Sequence, residues 1–314
     1  MKKLPLISIF LLSIFIPLRG LGQWTLQNVN TVNNIYCVDY FSLSEIWMGA
    51  TDGLIKSTDG GNTWNTYPLT DNLGNSILGG YLLDIHVFSS SIAVATGFLY
   101  LGNNECILRT TNGGLNWTIV SNYNGGPLPR NLNDIYFPTA SIGFAVGSNG
   151  RILKSTNGGS TWSALTSGTT VEMKSVFFTS ATTGFAVGDD RILKTTNGGT
   201  SWSQTSYSGS SFNSVVFADA LNGYAADGNL IRKTINGGNS WQISDPHINN
   251  GLTSIYADTS GIVYACGAGI ILKSSNAGTY WETQSPSGYV LYLNLIEKEE
   301  NALQISRCCL FQTY

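Results

Sequence analysis

The sequence predicts an all-β fold, a β-propeller of four-stranded blades, on three observations. A nine-residue phrase recurs six times, at Lys56–Trp64, Arg109–Trp117, Lys154–Trp162, Lys194–Trp202, Lys233–Trp241 and Lys273–Trp281. The tryptophans that close it recur at near-constant spacing: 40 residues from Trp162 to Trp202, 39 to Trp241 and 40 to Trp281. Between the phrases lie short apolar runs broken by Gly-rich turns, with no long amphipathic helical pattern. Four strands in each such unit, repeated along the chain, make the blade pattern.

Each element follows within one unit, for which residues 173–202 serve as the template. MKSVFFTS is a first strand, GFAVGDD a second strand and turn, RILKTT a third strand, and TSWSQTS a fourth. The NGG between the last two reads as a tight hairpin, because Asn-Gly and Asp-Gly favour positive φ and the Asx side chain bonds nearby amides. The Trp is expected to fold back on the core of its own unit. The basic residue opening every phrase (Lys56, Arg109, Lys154, Lys194, Lys233, Lys273) occurs in all six copies. It reads as a blade-building residue whose stem lies on apolar surface. Asp84 and Asp134 stand where other units have Ser175, Ser214 and Ser254. They are expected either to line the mouth of the channel or to accept a loop amide.

Six units are complete. Trp24 precedes Trp64 by 40 residues, so Trp24–Val29 is a spare fourth strand. Its expected partner is Gly288–Ile296, GYVLYLNLI, which would complete the last blade and remove an open edge. The expectation is therefore seven blades with an imperfect seventh, spanning 23–296; the alternative is a six-bladed ring. From Glu297 the pattern fails and a divergent tail, 297–314, begins.

The N-terminus has the layout of an export signal over residues 1–22. Lys2 and Lys3 precede an apolar run from Leu4 to Leu18, and Gly20 and Gly22 are the small residues before a cut at Gln23. An uncleaved anchor is the competing reading, disfavoured by a short run broken at Pro17. The expected location is exported: periplasmic, cell-surface or secreted. Cleavage removes Lys2, Lys3 and Arg19 and no acid, so the 16 basic residues fall by three against 19 acidic ones and the net charge moves from −3 to −6. That sign excludes a general nucleic-acid binder. Five cysteines (Cys37, Cys106, Cys266, Cys308, Cys309) form no disulfide framework, and Cys37 and Cys266 read as small buried hydrophobes. With only His86 and His247, no metal cluster is visible and no cofactor is expected.

Ser57-Thr58-Asp59-Gly60-Gly61-Asn62-Thr63-Trp64 resembles the Asp-box (BNR repeat) pattern S-x-D-x-G-x-T-W. The other copies carry Asn112, Asn157, Asn197, Asn236 and Asn276 in place of the Asp, and close on Trp117, Trp162, Trp202, Trp241 and Trp281. Phrases such as IYFPTASIGFAVGSNGRILKSTNGGSTW are most similar to the photosystem II stability/assembly factor family and its non-photosynthetic secreted relatives. The resemblance covers Trp24 to Trp281 and implies a propeller. It does not by itself imply an activity, because Asp boxes occur in enzymes and non-enzymes.

Function is expected where the copies differ. The box turns share one face; turns between second and third strands, and connections between blades, share the other. Residues 65–82 run about seven residues longer than the 16 from Trp162 to Phe178. Residues 97–106 and 119–133 are also lengthened, and all three insertions are expected on the face away from the boxes. They bring Tyr67, Tyr81, Tyr100, Tyr123 and Arg130, types enriched at recognition sites. Tolerated insertion without function is the competing reading. Arg151 and Arg191 open the third strand of successive units on that same face, and Arg232, two positions on, is expected to point the other way. The family resemblance implies a basic patch that contacts partner proteins, carried here by Arg151 and Arg191. Arg191 has an alternative partner in Asp189 or Asp190. A sialidase would need an arginine cluster, a Tyr–Glu pair and an Asp acid. The acids Glu45, Glu105, Glu172 and Glu282 are scattered. The expectation is a monomeric, non-enzymatic, assembly-factor-like module that binds a protein or a surface polysaccharide. A sialidase-like or glycan-binding propeller, and an architectural repeat of a truncated secreted protein, are the alternatives.

Overall fold

A computed structural model describes residues 29, 34–51, 53–77, 80–99, 104–122, 131–205, 211–284, 296–299 and 302–305. Six four-stranded antiparallel sheets follow in chain order, each strand pairing with the next. The template unit forms Met173–Phe178, Gly184–Gly188, Arg191–Thr195 and Ser203–Gln204. First strands of successive sheets touch one another, so they surround the axis and the strands step outward from it. The protein is thus a β-propeller.

The blade count corrects the expectation of seven. Among the described residues there are six blades, the alternative count. Of the strands assigned to a seventh, Trp24–Val29 and Gly288–Ile296, only Val29 and Ile296 are described residues. Val29 is buried in the first blade's own cluster with Ile35, Val38 and Met48. Ile296 begins a strand, Ile296–Glu299, that pairs with Ala302–Ile305 in a separate ribbon. The physical reason is that the box phrase does not recur in the sequence after Trp281, so Ile296 takes a local partner. That ribbon also runs across the boundary expected at residue 297.

Second strands are buried along their whole length, as in Gly184–Gly188, because neighbouring blades cover both faces of every sheet. The core therefore lies between blades. One cluster joins Phe144 and Ile152 of the third blade to Met173, Phe178 and Leu193 of the fourth, with Trp202 packed against it. The rings of Phe144 and Phe178 stack at 3.8 Å. A side chain at Gly184 would collide with the Phe178 ring. The box tryptophans sit at these junctions rather than on their own blade alone. Trp162 packs with Val94 and Ile107 of the preceding blade, and Trp241 meets the rings of Phe185 and Phe217 at 6.5 and 5.9 Å.

The box turn is longer than a two-residue hairpin. In the third blade it runs from Ser155 to Ser163, with Gly158 and Gly159 at φ 66° and 78°. The Gly159 amide donates to Ser155 Oγ at 2.9 Å, and the Thr161 amide to Asn157 Oδ1 at 2.9 Å. Asp59 does the same in the first blade, accepting the Thr63 amide at 2.8 Å and its hydroxyl at 2.6 Å. The Thr63 hydroxyl, then its amide, hold the Asp59 carboxyl below the ordinary carboxylate range.

Two sets of bonds tie the blades together in sequence from the second to the sixth. The basic residue of the phrase packs over an aromatic ring, as expected, with Lys154 5.4 Å from Phe144 and Lys194 5.6 Å from Phe185. Its head also donates to the box turn of the following blade: Arg109 to the Gly158 carbonyl at 3.2 Å, Lys154 to Gly198 at 2.7 Å, Lys194 to Gly237 at 2.7 Å and Lys233 to Ala277 at 2.6 Å. Near the axis, Asp84 accepts the Ile135 amide at 2.8 Å and Asp134 the Val176 amide at 2.7 Å. Ser175 and Ser214 accept Val215 and Ile255 at 3.3 and 3.4 Å. These are strand amides of the next blade, which replaces the expected loop amide.

Ser155→Ala should lower stability by about 1–3 kcal/mol in chemical denaturation, because it strands the buried Gly159 amide; Ser163→Ala, on an exposed side chain, should leave the midpoint in place. The depressed Asp59 group stabilises the fold above its unfolded pKa, and that contribution is lost as pH falls through its lower folded pKa. An acid titration followed by circular dichroism should therefore show less pH dependence for Asp59→Asn, which restores the residue used in the other five boxes.

Candidate protein-binding face

On the face away from the box turns, one open groove of about 560 Å3 lies between the third and fourth blades. Its walls are the turn Ser148–Gly150, the connection Leu165–Thr170, and the two arginines that open third strands, Arg151 and Arg191. The turn is held in shape by its backbone. Asn149 and Gly150 have φ of 58° and 67°, and a side chain at Gly150 would collide with the Thr169 carbonyl. The opposite wall is braced internally: the Ser167 hydroxyl donates to the Thr169 carbonyl at 3.1 Å, and the Val171 amide to Thr169 Oγ1 at 3.1 Å.

The two arginines differ in their partners. Arg151 Nε lies 2.5 Å from Glu105 Oε1, the side chains being 18% and 1% exposed. This charge pair crosses from the third blade to the second, whose strand Asn104–Thr110 carries Glu105. Arg191 instead donates Nη1 to Gln204 Oε1 at 2.6 Å. Its Nε is buried with no hydrogen-bond partner among the described residues. Gln204 is neutral, so Arg191 keeps its full charge at the groove wall. The alternative partner Asp189 is engaged elsewhere: it binds Lys174 at 2.8 Å and the Ser211 hydroxyl at 2.8 Å. The hydrogen bond from Lys174 keeps the Asp189 carboxyl below its ordinary range. Arg232 is turned inward, as the register required; it is 5% exposed and paired with Asp227 at 2.7 Å.

Only part of the expected tyrosine neighbourhood falls on described residues. Tyr100, Tyr123 and Arg130 lie outside the described residues. Tyr67 stands in an outermost strand, Asn65–Pro68, packed against the cluster between the first two blades. Tyr81 stands in an innermost strand, Gly80–Val87, with its ring 5.2 Å from Tyr36 and 5.6 Å from Phe98. The first insertion also departs from its assigned face. Thr70 pairs with Ser76, and the Trp117 amide donates to the Thr70 carbonyl at 2.8 Å. The Asn116 amide group reaches the Asp71 carbonyl at 2.9 Å. The segment thus folds back onto the second blade's box turn, because Leu69 is drawn into the apolar seam between the blades. Of this first insertion, 65–77 and 80–82 are described residues.

Glu105 was the residue that sequence reasoning overlooked. Its signal was a lone acid at the start of a third strand, one unit before Arg151. Two of the other scattered acids also have structural partners: Glu45 binds Lys56 at 2.7 Å and Glu172 accepts from Asn133 at 3.0 Å. Cys106 is buried beside Glu105, and burial, then that negative charge, push its thiol up to about 12, which suits packing rather than nucleophilic chemistry. Cys37 and Cys266 are buried too. Among the described residues no three His, Cys, Asp or Glu side chains are grouped to hold a metal, and no helix is long and apolar enough to cross a membrane.

Residues 126–210, which contain this groove, match the family described as Photosynthesis system II assembly factor YCF48. Solved structures agree on the fold. A structure titled YCF48 bound to D1 peptide is 17% identical, covers 97% of each chain and superposes with a TM-score of 0.68. YCF48 from Cyanidioschyzon merolae is 18% identical, with 90% of this chain and 95% of that one covered, at a TM-score of 0.64. An ancestral GH74 enzyme is 18% identical with a TM-score of 0.54, but the match spans 39% of its chain. No curated protein matches the sequence. The chain is a BNR-type β-propeller that resembles the photosystem II assembly factor.

Glu105→Gln should destabilise the protein by about 2–3 kcal/mol, since it leaves the half-buried Arg151 charge without its counter-ion. Adding Arg151→Met should recover part of that loss in a double-mutant cycle of urea unfolding.

Proposed function

We propose that the protein is a non-enzymatic interaction module that holds an acidic segment of a partner protein in the groove between Arg151 and Arg191. The observation that carries this reading is the unneutralised Arg191 facing Arg151 across one groove on the face away from the boxes. A guanidinium fork offers paired donors that match a carboxylate, and the rigid walls lower the entropic cost of capture. A propeller of the same fold has been solved with a peptide bound, which supports a peptide as the ligand class here. Tyr81, and with it Tyr67, Tyr100, Tyr123 and Arg130, would extend the contact surface toward the first two blades.

The chain acts after export, with residues 1–22 removed before Gln23, and it works as a monomer. Binding is favoured over catalysis because the described groove walls carry two arginines and no acid, and the nearby Glu105 is spent on Arg151.

The test is fluorescence anisotropy with a labelled acidic decapeptide of Asp and Glu residues. Arg191→Ala should weaken binding by about 1.5–3 kcal/mol, the worth of a hydrogen bond to a charged group, and added salt should weaken it further. Unchanged affinity in an Arg151→Ala/Arg191→Ala variant that still folds would reject the groove as the site. N-terminal sequencing of the protein recovered from an envelope extract should begin at Gln23; a chain beginning at Met1 would reject the export signal.

A further inference from the structure

We infer that the face of the box turns holds a second binding site, a notch at Arg109 that takes a phosphate-type oxyanion, separate from the arginine groove. Two departures from the repeat meet there. Arg109 is the one arginine among the six residues that open the box phrase. The insertion of residues 65–82 brings Asn72 to the rim. A cavity of about 170 Å3 opens between the second blade's box turn and Ser160 in the third blade's turn. That is below the roughly 300–1,000 Å3 of drug-sized sites, so it suits a small group.

An arginine in place of a lysine leaves donors over. In the third blade a single ammonium nitrogen makes the tie to the next turn, Lys154 Nζ donating to the Gly198 carbonyl at 2.7 Å. In the second blade Arg109 Nε makes that tie, to the Gly158 carbonyl at 3.2 Å. The two Nη atoms make no hydrogen bond among the described residues, and no Asp or Glu there pairs with the guanidinium. The residue opposite Arg109 on the second strand is Val94, whereas Lys154 faces Phe144 and Lys194 faces Phe185. The half-buried Arg109 thus carries an unmatched charge beside the cavity.

The rim adds donors and no acid. Thr118 Oγ1 accepts from Asn72 Nδ2 at 3.3 Å, which leaves its O–H to donate. Thr111 and Ser160 are exposed residues of the two box turns, and their hydroxyls bond nothing among the described residues. No Asp or Glu lines the cavity. Asp71, beside Asn72 in the chain, is capped by its own loop: its carboxylate accepts the Leu73 and Asn75 amides at 2.8 Å each and Asn75 Nδ2 at 3.0 Å. The edge of a guanidinium presents two parallel N–H donors to two oxygens of an anion. A tetrahedral anion has oxygens left over for the hydroxyls, whereas the fork takes both oxygens of a carboxylate. Nothing here uses Arg151 or Arg191, so the site stands or falls apart from peptide capture.

Isothermal titration of the full chain tests it, with inorganic phosphate and O-phosphoserine as probes and acetate as a planar control. The expected result is saturable binding that is about tenfold weaker in Arg109→Lys. That variant restores the opener of the other five units, so it keeps the tie to Gly158 and should unfold at the same urea concentration. A purely structural Arg109 would leave phosphate affinity unmoved. Saturation by inorganic phosphate alone marks the free ion as the source, and saturation by O-phosphoserine marks an ester; either, weakened in Arg109→Lys, supports the site. The acidic decapeptide should bind Arg109→Lys as before, which separates failure here from failure of the groove. No saturable binding of either probe, acetate bound as tightly as phosphate, or unchanged affinity in folded Arg109→Lys would overturn the inference. Should Arg109→Lys fail to fold, unchanged phosphate affinity in Thr118→Val overturns it instead.

Discussion

A charge-assisted hydrogen bond from one blade to the tip of the next governs this molecule. No blade can bury its own sheet, because its middle strands are apolar on both faces. Each must be covered by neighbours at a fixed distance and angle. The basic residue that opens the box phrase sets that relation; Lys154, for one, lies over a ring of its own blade and donates to the following turn. The turn can accept because Ser155 and Asn157, or their equivalents, have already fixed its other polar groups. Near the axis the Asp or Ser acceptor fixes the same pair of blades a second time. From the second blade to the sixth, two ties per junction, inner and outer, leave little freedom for one blade to rotate against another.

That rigidity gives the candidate groove its meaning. Arg151 and Arg191 belong to different blades, so only a fixed junction keeps their guanidinium groups on one cleft. The Glu105 contact extends the chain of constraint to the second blade and fixes Arg151 rather than neutralising the whole site. Arg191, bound to the neutral Gln204, is the residue left to meet an external anion.

The blades were legible in the sequence because their period is enforced by packing. The template strands of residues 173–202, the burial of Cys37 and Cys266, and the inward turn of Arg232 all follow from alternation and spacing. What was not legible depends on partners far apart in the chain. Lys154 reads as a packing residue from its repetition alone; that its head bonds Gly198 needs the angle between blades. Glu105 looks like a stray acid until the third blade is placed beside it. Part of the 65–82 insertion folds back onto the second blade's box turn, because loop counting ignores the apolar pull on Leu69. The seventh blade was inferred from a spare strand, although no phrase after Trp281 could complete it.

The account rests on ligand capture by the face away from the boxes, and hydrogen exchange read by mass spectrometry tests that most directly. With the acidic decapeptide at saturation, slower exchange is expected in the turn 148–151 and the connection 165–170, with box turns such as 156–161 unchanged. Protection confined to the box turns, or no protection at all with peptide bound, would contradict it.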